Sequence, residues 1–272
     1  MNRVVIVGSG NLAHALLTGW MRQPSPVRFQ VLARSHRYLS RGWESPASDC
    51  VVTNPRILTN ADLVVLAVKP KDIPDALLTV RTYSPAFTPV LSAAAGITLD
   101  RLAESLPRRP LIRAMPNICS RVGSSVTGVS FSGVSPSQRA IVRELLAVLG
   151  EVVETEEHLL NPMTALYGSG PAYVYVFVNT IVDTAQQLGL PRDVARTLAL
   201  QMVRGSSELA LAETDQPFDR LVEQVASPGG TTEAMLKVLD QADWPGVMKR
   251  ALLQAGERAR QLGATPVGSS PV

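Results

Sequence analysis

Val4-Val5-Ile6-Val7-Gly8-Ser9-Gly10-Asn11-Leu12-Ala13 (residues 4–13) is the stretch that decides the fold. Four consecutive β-branched apolar residues read as a strand covered on both faces. The glycines that follow turn this strand into an amphipathic helix, Leu12 to Met21. In Gly8-x-Gly10-x-x-Ala13, Gly8 permits a tight turn and Gly10 lets backbone approach a pyrophosphate. Ala13 keeps the helix close to the sheet. The N–H groups at the helix start favour an anion, so Val7, Gly8, Ser9, Gly10, Asn11 and Leu12 form a candidate dinucleotide site.

Outward from this turn, short apolar runs alternate with helical patterns over roughly the first 150 residues, which is the signature of a parallel sheet flanked by helices. Strands are expected at Arg3–Val7, Phe29–Ala33, weakly at Val51–Val52, and at Leu63–Ala67, Val90–Ser92 and Leu111–Met115. Two more are expected near Ser125–Phe131 and Val152–Glu154, separated by a helix from Ser137 to Leu149. After about Asn161 the pattern is helical. The expected fold class is α/β: a Rossmann-type dinucleotide-binding domain over residues 1–160, then an all-helical domain over 161–272 for dimerisation and substrate. Ala172 to Leu188 is apolar almost all round, so that helix must be buried. A subunit interface is the place for it, and the chain is expected to be a dimer.

Composition narrows the function classes. Hydrophobic residues make up 46% and charged residues 18%, as in a globular protein, while aromatics at 5% leave the core to Ala, Val, Leu and Ile. The net charge of +3 is small and its densest groups, Arg108-Arg109 and Arg34 to Arg41, are too short for a nucleic-acid arm. No apolar run approaches the ~20 residues of a membrane span. Cys50 and Cys119 lack metal-ligand spacing, and His14, His36 and His158 are isolated, so no metal site is expected. The chain opens on a strand with no signal-peptide pattern, which points to the cytoplasm.

The carboxyl ends of successive strands carry the candidate cofactor residues. The second strand ends in Arg34-Ser35, followed by His36 and Arg37. Folds that take NAD place an acid there, about 20 residues past the glycines, for the ribose 2′-hydroxyl. A guanidinium and a hydroxyl instead suit a 2′-phosphate, so NADPH is favoured, with NADH the weaker alternative. Asn54, just past the third strand, is taken as a further cofactor residue. Ala67-Val68-Lys69-Pro70 closes the fourth strand, with Lys69 in reach of the nicotinamide ribose. Ala94-Ala95-Gly96 and Pro116-Asn117 end two more; small residues leave space for a flat ring, and Asn117 offers an amide.

A second glycine turn, Ser227-Pro228-Gly229-Gly230-Thr231-Thr232, enters another helix far down the chain. Its N–H groups suit a small acidic substrate, held by Ser227, Gly229, Gly230 and Thr231. Thr231 or Thr232 is placed to hydrogen-bond a reacting atom and relay a proton.

Six motifs occur in order: Gly-Ser-Gly-Asn-Leu-Ala at 8–13, Ala-Val-Lys-Pro at 67–70, Ala-Ala-Gly at 94–96, Arg-Ala-Met-Pro-Asn at 113–117, Gly-Ser-Gly-Pro-Ala-Tyr at 168–173 and Ser-Pro-Gly-Gly-Thr-Thr at 227–232. In this order the chain resembles the pyrroline-5-carboxylate reductase family over nearly its whole length. The resemblance implies NADPH-dependent reduction of a small anionic cyclic imine to proline. It also implies a homodimer with interleaved C-terminal helices, often a pentamer of dimers, and Thr231 as the stronger of the two threonine candidates. The chain departs from the family pattern at Glu233, where an apolar residue is usual, at Tyr167, where a small one is common, and at Ile118-Cys119-Ser120-Arg121. A β-hydroxyacid dehydrogenase is the rival enzyme reading. It requires a general base, commonly lysine, and from Pro171 onward only Lys237 and Lys249 occur, neither in a glycine-rich or Asn-containing context. A dinucleotide-sensing paralogue without turnover would have a damaged second glycine turn, and here that turn is intact.

Overall fold

A computed structural model describes residues 1–35, 43–44 and 46–264. The chain divides into two compact units, one holding Met1–Pro171 and the chain from Gln254 onward, the other Ala172–Leu253.

The first unit is built on an 8-stranded sheet with strand order β3-β2-β1-β4-β5-β6-β7-β8. The strands are β1 Arg3–Val7, β2 Arg28–Leu32, β3 Val51–Val52, β4 Leu63–Leu66, β5 Val90–Ser92, β6 Leu111–Met115, β7 Ser125–Ser132 and β8 Gly150–Glu154. The first six run parallel; β7 turns antiparallel to β6, and β8 runs parallel to β7. The strands lie where apolar runs place them, with β8 starting two residues earlier than expected. Its residues are half-buried or exposed, so little hydrophobic pattern marks its start.

Alternation along β1 builds both faces at once. Val4 and Ile6 enter one buried cluster with α1 (Asn11–Trp20) and α4 (Pro136–Ala147). Val5 and Val7 enter the other with α2 (Ile73–Tyr83) and α3 (Leu99–Ser105). Trp20 anchors the first cluster: it stacks on Phe29 at 5.1 Å and its indole N–H donates to the Leu145 carbonyl at 2.8 Å. The short helix α5 (Leu160–Met163) stays with this sheet, because Leu160 and Ala165 are buried in this unit. A five-residue π turn, Thr164–Gly168, follows it.

The remaining helices are α6 Gly170–Gln187, α7 Arg192–Ala212, α8 Phe218–Val225, α9 Thr231–Gln241 and α10 Trp244–Ala264. The buried cluster of the second unit consists of Val182, Ala195 and Ala199. Tyr175, Val176, Leu211 and Phe218 are 60%, 68%, 75% and 77% exposed. On α6, the helix expected to be buried, Val182 is covered while Tyr175 and Val176 stay bare in the single chain, as a surface awaiting a partner copy would be. No helix among the described residues is long and apolar enough to cross a membrane.

One buried charge sits beneath the sheet's end. The Arg113 side chain is 1% exposed and donates to Glu157 Oε1 at 3.1 Å and Asn161 Oδ1 at 2.6 Å. Glu157 Oε1 also accepts the Leu99 N–H at the start of α3, at 2.7 Å. Removing one partner of such a pair strands the other charge in the interior. Glu157→Ala should therefore cost about 3 kcal/mol of stability, read as a lowered urea midpoint at fixed protein concentration. Arg113→Met/Glu157→Leu, which leaves no charge unpaired, should recover much of the loss.

Candidate active site

The hydrogen-bond ladder continues past the strand ends and levels them. Ala33 N–H donates to Val52, Gly8 N–H to Leu32, Ala67 N–H to Val7 and Ala93 N–H to Leu66, each at 2.9 Å. A groove of about 720 Å³ opens at this edge, where β2 and β4 lie on either side of β1. Ligands of open α/β sheets bind at such a switch point. Its wall includes Val7 to Gly10, Leu32 to Ser35, Ala67 to Lys69, and residues of the following turn and α2.

Two glycines make this a place for a ligand backbone. Gly8 has φ +115°, and a Cβ there would lie 2.7 Å from the Ala67 carbonyl oxygen and 2.8 Å from Val68 Cγ1, so the fold itself demands glycine. Gly10 is different. Its backbone is ordinary (φ −83°), and a Cβ would meet no protein atom within 4 Å. What glycine gives at that position is room for something outside the chain. The first turn of α1 has neither an acidic residue nor a side-chain cap, so its N–H groups are open to an anion. Arg34, Lys69 and Lys71 add positive charge to the wall. These residues fit a dinucleotide with its phosphates.

Arg34 pairs with Asp72 at 3.0 Å and with Asp75 at 3.9 Å. Ser35 lies beside it in the wall; His36 and Arg37 lie outside the described residues. Lys71, Asp72, Asp75, Ala76, Thr79 and Tyr83 line the groove and were not legible as site residues one at a time. Their signal was collective, since positions 72, 75, 76, 79 and 83 share one helical face just beyond a buried strand.

The other sequence candidates have separate places. Asn11 is the exposed first residue of α1, and Leu12 packs against the core. The Asn54 side chain accepts the Arg56 N–H at 3.0 Å and caps a short turn, while its neighbours Thr53 and Pro55 line the groove. Pro70 opens a single 3-10 turn. Ala94 is buried past the end of β5, and Ala95 and Gly96 follow it, Gly96 with φ +77°. Pro116 and Asn117 are buried at the end of β6. Each end of the Asn117 amide makes one hydrogen bond within the fold: Nδ2 donates to the Tyr167 carbonyl at 2.9 Å and Oδ1 accepts the Cys119 N–H at 2.8 Å. Asn117 thus clamps the π turn to the strand end. Tyr167 explains its own departure from the family pattern, because its hydroxyl accepts the Gly128 N–H on β7 at 2.8 Å. Burial pushes that phenol above its ordinary pKa, against the smaller opposite pulls of the Gly128 N–H and the Arg113 charge.

The second glycine turn starts α9, with Gly230 as the N-cap and no side-chain cap. Gly230 N–H donates to the Ser227 carbonyl at 3.0 Å. Ser227, Gly229 and Thr231 are exposed and Thr232 is half-buried. Among the described residues neither threonine hydroxyl makes a hydrogen bond, so both are available. Glu233 Oε2 accepts the Gly229 N–H at 2.6 Å. A carboxylate of the chain's own therefore rests on the turn expected to hold a substrate carboxylate.

The sheet order and its phosphate-ready groove define a dinucleotide-dependent oxidoreductase with an added helical part. Residues 157–262 match the family model for pyrroline-5-carboxylate reductase dimerisation, and residues 3–96 that for NADP oxidoreductase, coenzyme F420-dependent. The chain is 32% identical to pyrroline-5-carboxylate reductase of Mycobacterium tuberculosis, over 98% of each. It is 30% identical to pyrroline-5-carboxylate reductase 2 of Bacillus subtilis, over 96% of this chain and 95% of that relative. The solved pyrroline-5-carboxylate reductase of Coxiella burnetii is 32% identical with a TM-score of 0.80, over 96% of this chain and 98% of that one. In fold the chain is also similar to the Plasmodium falciparum reductase solved with NADP bound (TM-score 0.87, 24% identity, over 96% and 98% of the two chains). This chain belongs to the pyrroline-5-carboxylate reductase family.

Gly8→Ala tests the groove directly. A methyl against the Ala67 carbonyl, on a left-handed backbone, has to displace β1 from β4. Binding of NADPH, followed by its fluorescence, should fall at least about tenfold, the loss of ~1.4 kcal/mol.

Proposed function

We propose that this chain reduces the cyclic imine 1-pyrroline-5-carboxylate with NADPH, giving L-proline, the last step of proline biosynthesis. The observation that carries this reading is likeness along the whole chain, at 30–32% identity, to proteins named for that activity. Residues 1–160 are assigned to NADPH, with NADH as a weaker alternative, and residues 161–272 to dimerisation and the substrate. Arg34 and Ser35 face the 2′-phosphate; the turn from Val7 to Leu12 holds the pyrophosphate. Asn54, Ala67 to Pro70, Ala94 to Gly96, Pro116 and Asn117 shape the remainder of the cofactor site. The working state is a homodimer in the cytoplasm, and five dimers in a ring is the larger assembly that the family likeness favours. The bare apolar surface of α6 supports the dimer.

When bound, the dihydronicotinamide supplies a hydride. A protonated imine is already electrophilic, so the chain needs no nucleophile; it needs to hold the substrate and exclude water. The N–H groups of Gly229, Gly230 and Thr231, at the positive end of α9, take the substrate carboxylate, with Ser227 shaping the turn. The Thr231 hydroxyl hydrogen-bonds the ring nitrogen and relays to it the solvent proton that, with the hydride to carbon, completes the amine; Thr232 is the other candidate for that role. Glu233 yields the Gly229 N–H to the incoming carboxylate.

Loss of NADPH absorbance with the cyclic imine as sole acceptor, and proline as product, tests the activity. Failure to turn over this imine, with NADPH bound, would sink the reading. Thr231→Ala should lower the single-turnover hydride step about a hundredfold without weakening NADPH binding. Glu233→Ala, which frees the turn, should lower the KM for the imine about fivefold; a raised KM would show that Glu233 supports the site instead.

A further inference from the structure

The groove assigned to NADPH holds acids that work against its 2′-phosphate. Arg34 does not stand free: its guanidinium lies 3.0 Å from Asp72 Oδ1 and 3.9 Å from Asp75 Oδ2. Both carboxylates come from the start of α2 and line the groove beside Lys69 and Lys71. The end of β2 lacks the acid with which NAD-binding folds take a ribose 2′-hydroxyl. Folding brings two acids to that place from a different element. Neither is committed to the helix start, because α2 receives no side-chain cap. The Asp72 side chain is 21% exposed, so it is the more sheltered of the two, while Asp75 at 78% stands in solvent.

We propose that Asp72 and Asp75 are specificity-determining residues that hold down this chain's preference for NADPH over NADH. A 2′-phosphate must share Arg34 with two carboxylates and is repelled by both. A free 2′-hydroxyl meets no such repulsion and finds acceptors for its proton. The positive charge of Arg34 is thereby partly neutralised where the adenosine ribose lies. The inference rests on the assignment of Arg34 to the 2′-phosphate, and its test separates the two.

Titration calorimetry on the full-length protein with adenosine 2′,5′-bisphosphate and with 5′-AMP isolates the 2′-phosphate from catalysis. Asparagine keeps the size of aspartate and can still accept from Arg34. The ratio of the 5′-AMP Kd to the bisphosphate Kd should rise about three- to tenfold in Asp72→Asn and less in the exposed Asp75→Asn, with the largest rise in the double variant. The NADPH-to-NADH ratio of kcat/KM should follow through KM, and added salt should shrink the difference. In Arg34→Ala the same Kd ratio should fall towards one. With Arg34→Ala still effective, an unchanged ratio in the asparagine variants would overturn the inference because the acids would then not act on the phosphate, and a lowered ratio would overturn it because they would be positioning Arg34 for it. A ratio indifferent to Arg34→Ala would remove the phosphate assignment and the inference together.

Discussion

The closeness of β1 to β4 at Gly8 is the constraint on which the cofactor half depends. The volume a side chain would need is filled by the Ala67 carbonyl, and the same few residues bond outward to Leu32 and Val7. Parallel strands locked in this way end at one level. Arg34 and Lys69, each two residues beyond a locked position, therefore leave the sheet side by side along one groove. A change that pushed β1 and β4 apart would misplace cations that lie on neither strand.

The helical unit obeys a different physics. Ordering a residue costs roughly 1–2 kcal/mol of backbone entropy, and a buried cluster of Val182, Ala195 and Ala199 offsets little of that. Pairing with another copy of the same surface would add the burial that the single unit lacks. The family match over residues 157–262 concerns dimerisation, which agrees with the apolar residues left bare.

Much of this was legible in the sequence because parallel strands buried on both faces declare themselves as unbroken apolar runs, as Leu63 to Leu66 does. Features made by distant residues did not declare themselves. The hydrogen bond from the Asn117 amide to the Tyr167 carbonyl, fifty positions on, has no local pattern to announce it. Asp72 and Asp75 look like ordinary helix-start acids, and only the meeting of β2 with α2 puts them on Arg34. Leu160 and Ala165 gave no sign of joining the sheet, since the chain there already reads as helix.

The contact between Glu233 and Gly229 has a kinetic side. A carboxylate tethered four residues away is present at high effective concentration, and no solute can dilute it. Under the proposed function, arriving and departing anions trade places with a resident one, so the turn passes between two negatively charged tenants without standing empty. Apparent affinity then measures a difference between carboxylates. Release of the product can be assisted by the returning side chain, which lets a site strong enough to orient its ligand also let it go quickly.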